Sequence, residues 1–147
     1  MKPYAENRKA FYDYEILEKY EGGLVLEGNE VKSIREGGAK LLGAYIQPFQ
    51  GELWLIGMHV SPYSKQGKIE GYDPDRRRKV LVHFRELAAI FGKTQQKGLT
   101  LVPFSLYPSG RRIKLSFAVC RGKKAHDKRE KLKERDVMRR VQRGEDE

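Results

Sequence analysis

Ile113, Leu115, Phe117 and Val119 alternate with Arg112, Lys114 and Ser116, and the alternation runs straight into Arg121-Gly122-Lys123-Lys124. A period of two fixes a strand with one buried and one outward face. The basic stretch after it cannot extend the same body. Residues 121–144 carry eleven Lys or Arg against four Asp or Glu, and only Leu132, Val137, Met138 and Val141 offer aliphatic surface of any size. That is too little to hold a helix against a core. The chain is therefore expected to divide into a body, residues 1–120, and a basic tail, residues 121–147. The sign of the tail points to an anionic partner.

A chain of 147 residues suits one buried core rather than two. Its net charge of +10 is not confined to the tail, since a surplus of six cations remains in residues 1–120. Neutralising phosphates releases condensed counterions, so nucleic acid is the leading partner class, with a membrane surface the weaker rival. No segment approaches the roughly 20 apolar residues that cross a bilayer, and Met1-Lys2-Pro3-Tyr4-Ala5-Glu6 lacks the apolar stretch of a signal peptide. The single cysteine, Cys120, has neither a disulfide partner nor a CxxC neighbour, which fits a reducing, cytoplasmic setting.

Along the chain, Tyr12, Tyr14 and Ile16 predict a strand, and Leu24-Val25-Leu26 its neighbour after a hairpin or bulge at Gly22-Gly23. Asn29 ahead of Val31 and Ile34, with Gly37-Gly38 following, predicts a short capped helix. Tyr45-Ile46 and Leu53 to Val60 predict a hairpin around Gln50-Gly51, its second strand central to the sheet. Residues 61–74 are polar and aperiodic and read as a long mobile loop. Val80-Leu81-Val82 predicts a strand, Leu87, Ile90 and Phe91 one face of a helix ended by Gly92, and Leu99 to Val119 a hairpin turning at Pro108-Ser109-Gly110. The expected fold is mainly β: an OB-like antiparallel barrel with short flanking helices and a basic, conditionally helical tail.

No catalytic or metal-binding constellation emerges. His59, His83 and His126 are scattered, Gly37-Gly38-Ala39-Lys40 lacks the spacing of a phosphate-cradling loop, and Asp73, Asp75 and Glu86 read as turn or solvated residues. The run Arg76-Arg77-Arg78-Lys79 is more suggestive, because four adjacent cations repel one another unless something anionic compensates. A functional role is modestly favoured there. Tyr63 and Tyr72 are favoured as residues packed on their own loop over base-stacking ones, while Lys114, fixed outward by its strand, suits a phosphate contact.

Several blocks, in order, carry a resemblance: Asn7-Arg8-Lys9-Ala10, Tyr20-Glu21-Gly22-Gly23, Glu30-Val31-Lys32-Ser33, Asp73-Pro74, Arg78-Lys79-Val80-Leu81, Arg85-Glu86-Leu87, Lys97 to Pro103, and Arg121-Gly122-Lys123-Lys124 with Asp127-Lys128-Arg129-Glu130. Together they resemble the small protein B (SmpB) family of bacterial tmRNA-binding proteins from about Asn7 to Arg135. The resemblance implies a non-enzymatic factor of trans-translation, without cofactor or metal. It would bind the tRNA-like domain of tmRNA, support its aminoacylation and deliver it to stalled ribosomes. Protein and RNA together would imitate a tRNA, and the tail would enter the decoding centre and empty mRNA channel of the small subunit, becoming helical there. The elongation factor EF-Tu is an implied companion in delivery.

By position, the resemblance assigns Glu21, Leu81 and Lys114 to tmRNA binding, with Asn7, Arg8 and Lys9 as backbone contacts. It assigns Gly122, Lys123, Lys124, His126, Asp127, Lys128 and Arg129 to the ribosome-engaging tail, with His126 stacking in the decoding centre. Phe11-Tyr12 depart from the family's usual Arg-His, and Cys120 from its usual Ala. Two other classes stay open on the residues alone: a structural ribosomal protein with a permanently threaded extension, and, ranked last, an RNA-processing enzyme built on convergent carboxylates.

Overall fold

The computed structural model describes residues 2–67 and 70–123. In chain order the elements are β1 (Ala5–Glu6), α1 (Arg8–Asp13), β2 (Tyr14–Leu24), α2 (Gly28–Arg35), β3 (Ala39–Lys40), β4 (Tyr45–Phe49), β5 (Glu52–Ile56), β6 (His59–Val60), β7 (Arg78–Leu81), α3 (Phe84–Thr94), β8 (Leu99–Ser109) and β9 (Arg112–Gly122). The larger sheet runs β1-β8-β4-β5-β7-β2-β9 and all its pairings are antiparallel. An extra pairing of β8 with β9 brings the ends together, so the strands close on themselves and β1 remains as an appendage on β8. Closure removes the open edges that would otherwise template aggregation. The mainly β, OB-like barrel expected from the pattern is present.

The alternation on β9 does what its period dictates: Ile113, Leu115, Phe117 and Val119 enter the main core with Leu53, Leu55, Leu101 and Leu106. Its opposite face changes character along the strand. Lys114 and Ser116 are only partly buried, whereas Ala118 and Cys120 are fully buried in a second cluster with Ala10, Val102 and Phe104. Helix α1 makes that cluster by laying Ala10 onto the barrel wall, while the Phe11 ring sits 4.7 Å from that of Phe104. Packing of Ala10 and Phe11 against this cluster outweighs the local alternation, so Tyr12 lies in a helix despite alternating with Tyr14 and Ile16.

Other departures have equally local causes. The strand after Gly22-Gly23 is not separate, because β2 passes through both glycines without turning, and its bulge lies at Ile16/Glu18 instead. Helix α2 begins before Asn29, its start fixed by Glu30 accepting the Glu27 amide at 2.9 Å. Gly92 lies inside α3, which continues to Thr94. The strand expected from Leu53 to Val60 breaks at Gly57, whose φ of 86° redirects the chain so that β6 pairs with β3. The Gln50-Gly51 turn has positive φ at both positions, 51° and 76°, as a two-residue hairpin requires, and β5 is indeed interior, between β4 and β7.

Candidate nucleic-acid interface

Strand β2 supplies the floor of the site. Gly23 stands in register with Leu81 of β7 on one side and Lys114 of β9 on the other. A Cβ on neighbouring Gly22 would meet Val80 Cγ1 at 2.9 Å and the Leu81 carbonyl at 3.0 Å, so only glycine permits this approach. Above the two glycines opens a groove of about 710 Å³, walled by Leu81 and His83 on one side and Arg112 and Lys114 on the other. The three residues assigned to RNA binding from separate parts of the sequence, Glu21, Leu81 and Lys114, all line it.

The chemistry of the groove is that of a cation held ready. Lys114 Nζ lies 3.6 Å from Glu21 Oε1, and both side chains remain more than one-third exposed. An exposed pair of this kind is worth about 0–1 kcal/mol, so Lys114 can exchange its partner for a phosphate at little cost. Tyr107 stands directly across from Lys114 on β8. Burial, and then the nearby Glu21, push the Tyr107 hydroxyl well above the ordinary tyrosine value. Glu21 keeps acceptor capacity for an amino or hydroxyl donor. Leu81, 48% exposed, places an aliphatic surface on the same rim. The role of Tyr107 was not read from the sequence, although the register of the β8–β9 hairpin places it opposite Lys114.

The N-terminal block is elsewhere and is divided. Asn7 is buried: its Nδ2 donates to the Pro103 carbonyl at 3.2 Å and its backbone amide to Phe104 at 2.8 Å. A direct contact with an RNA backbone, expected for this side chain, is incompatible with that burial. Arg8 and Lys9 are exposed on α1, with Arg8 Nε 3.3 Å from Glu6. Gly122 pairs with Tyr14, Lys123 donates its amide to Asp13 at 2.9 Å, and its Nζ donates to the Phe11 carbonyl at 3.1 Å. Gly122 and Lys123 are thus still held to β2 and α1. Lys124, His126, Asp127, Lys128 and Arg129 lie outside the described residues.

The basic run has a largely internal explanation, since carboxylates of the protein engage three of its four cations. Glu30, buried in α2, engages Arg76, and its other oxygen accepts from Arg78 Nε at 2.7 Å. Arg78 is fully buried and also donates to the carbonyls of Met58 (2.7 Å) and Pro74 (3.0 Å). Burial alone would raise the pKa of Glu30, but the Glu27 amide and the two guanidiniums hold it below the ordinary carboxylate value. Lys79 pairs with Glu52 at 2.7 Å. The anions that relieve repulsion in the run are thus mostly the protein's own. Tyr72 donates to the Val60 carbonyl at 2.7 Å, and Lys32 sits over the Tyr63 ring, so the two tyrosines contact β6 and α2 rather than their own loop. Among the described residues no cluster of His, Cys, Asp or Glu is arranged to hold a metal ion, and no helix is long and apolar enough to cross a membrane.

Comparison with known proteins covers nearly the whole chain. The family model described as SmpB protein matches residues 4–147. An SsrA-binding protein of Carboxydothermus hydrogenoformans is 51% identical over 138 residues, covering 94% of this chain and 92% of that protein. One from Coprothermobacter proteolyticus is 49% identical over 144 residues, covering 97% and 96%. A solved chain described under "tmRNA-SmpB: a journey to the center of the bacterial ribosome" superposes with a TM-score of 0.69 at 45% identity, covering 86% of this chain and 92% of that one.

Proposed function

The chain belongs to the SmpB protein family, and from that premise we propose that it binds the tRNA-like domain of tmRNA through the groove floored by Gly22 and Gly23. The observation that carries this reading is the convergence of Glu21, Leu81 and Lys114 on one groove, from three different strands. Lys114 exchanges Glu21 for a backbone phosphate, Glu21 accepts from a base or ribose donor, and Leu81 packs on a ribose or base face. Arg8 and Lys9 add phosphate contacts from α1, and Asn7 acts indirectly by pinning α1 to β8.

Binding, rather than catalysis, is the role. The protein supports aminoacylation of tmRNA and delivers it, with EF-Tu, to ribosomes stalled without a usable stop codon in the cytoplasm. The basic tail, including Gly122, Lys123, Lys124, His126, Asp127, Lys128 and Arg129, engages small-subunit rRNA at the decoding centre and the empty mRNA channel. Its start beside α1 supports a division of labour in which the barrel selects the RNA and the tail reads the ribosome.

Recovering the full-length chain from its host and sequencing the RNA that accompanies it tests the proposal. One tRNA-like RNA should dominate. Stoichiometric rRNA that survives high-salt washing would instead make the chain a structural ribosomal protein.

A further inference from the structure

A second exposed face lies across β4, β5 and β7. Ile46, Leu53 and Leu55 point inward and are buried, so the alternation sends Tyr45, Gln47, Phe49 and Trp54 outward. Gln47 pairs with Trp54, which in turn pairs with Lys79, and Tyr45 and Phe49 flank Gln47 on its own strand. Same-face neighbours in a sheet are roughly 5 Å apart across strands and about 7 Å apart along one. Three aromatic rings therefore surround one exposed amide.

Arg77 makes this face electropositive. Its three neighbours in the basic run are engaged by Glu30 and Glu52, whereas the Arg77 guanidinium, among the described residues, has no carboxylate partner and lies 5.6 Å from the centre of the Trp54 ring. Cross-strand packing accounts for Trp54, which is partly buried. It does not account for Tyr45 and Phe49, left 47% and 50% exposed on β4, the strand next to that of Trp54.

We propose that Tyr45, Gln47, Phe49, Trp54 and Arg77 form a second binding site, for unpaired nucleotides of single-stranded RNA. Bases stack on the rings, the Gln47 amide meets a base edge, and Arg77 meets the adjoining phosphate. An aromatic platform on a sheet with a cation beside it suits this ligand because every base has a π-face, while the charge selects a polyanion.

Trp54 is the single tryptophan of the chain, so its fluorescence reports on this face alone. Titrating the full-length protein with an unstructured 12-residue oligoadenylate should quench Trp54. Tyr45→Ala and Phe49→Ala should each weaken the titration roughly tenfold, in line with the loss of one stacked base. Lys97→Ala, an exposed cation in the turn before β8 and outside both sites, should leave it unchanged. Inorganic polyphosphate, an anion without bases, should not reproduce the quench. Both alanine changes are at exposed positions, and unchanged thermal melts should verify that the barrel is intact. The inference is overturned if the oligonucleotide leaves Trp54 emission unaltered, if polyphosphate quenches it equally, or if the aromatic substitutions have no more effect than Lys97→Ala.

Discussion

Glu30→Gln should destabilise the protein more than any surface substitution. The carboxylate is 1% exposed, and the Arg78 it faces is fully buried. Removing one member of such a pair leaves the other charge uncompensated, at a cost of about 3–5 kcal/mol. Arg78 keeps the Met58 and Pro74 carbonyls, and Arg76 can turn to water, so the lower end applies. For a folded body of this size about 3 kcal/mol lowers the melting temperature by roughly 10 °C. Circular dichroism melts and urea titrations at neutral pH measure this directly. The double change Arg78→Met with Glu30→Leu should recover only part of the loss, because it removes the unpaired charge but leaves the Met58 and Pro74 carbonyls without their donor. The pH dependence has a definite sign. The native state holds the pKa of Glu30 below its ordinary value of 4.5, so its contribution is complete above that pH and fades as the pH falls through the lower native value. Glu30→Gln has no such proton to bind, so the gap between the two proteins should narrow in acid. A loss below about 1 kcal/mol at neutral pH, or a gap that widens on acidification, would refute the assignment of Glu30 as the counter-charge of the basic run.

Gly22→Ala should cost about 1–3 kcal/mol, measured by the same melts, since its Cβ would press on Val80 and on the Leu81 backbone. Truncation after Lys123, which spares the Gly122–Tyr14 pairing, should leave the barrel folded and tmRNA bound in a gel-shift assay while abolishing tagging of stalled peptides; loss of tmRNA binding would contradict the division of labour. Cys120 is fully buried and its thiol pKa is pushed up to about 11 by burial, so iodoacetamide should modify it slowly at neutral pH in the native protein and rapidly once urea unfolds it.

The parts of the fold legible in the sequence were those in which one physical signal acted alone. The period of two on β9 and the turn at Gln50-Gly51 set their hairpins unaided. Where long-range burial competed with a local pattern, burial won: Tyr12 joined a helix because Ala10 and Phe11 meet Val102 and Phe104, residues distant in sequence. Gly22-Gly23 looked like a turn or bulge because sequence does not distinguish a glycine needed for bending from one needed for close approach. The groove was legible as separate residues through family resemblance, not as a place. Its assembly depends on a register joining β2, β7 and β9, and Tyr107 comes opposite Lys114 only through the β8–β9 pairing. The internal compensation of the basic run was not legible because its main counter-charge, Glu30, lies in another element, where local charge counting does not reach.

The central claim is that the groove floored by Gly22-Gly23 selects the RNA by offering Lys114 to a phosphate. Equilibrium binding of the tRNA-like domain of tmRNA to the wild-type chain and to Lys114→Ala, measured across a series of salt concentrations, tests it most directly. The variant should bind more weakly and the slope of log K against log salt should become shallower by about 0.9, the contribution of one phosphate on a duplex. An unchanged affinity with an unchanged slope would remove Lys114 from the interface and contradict the account.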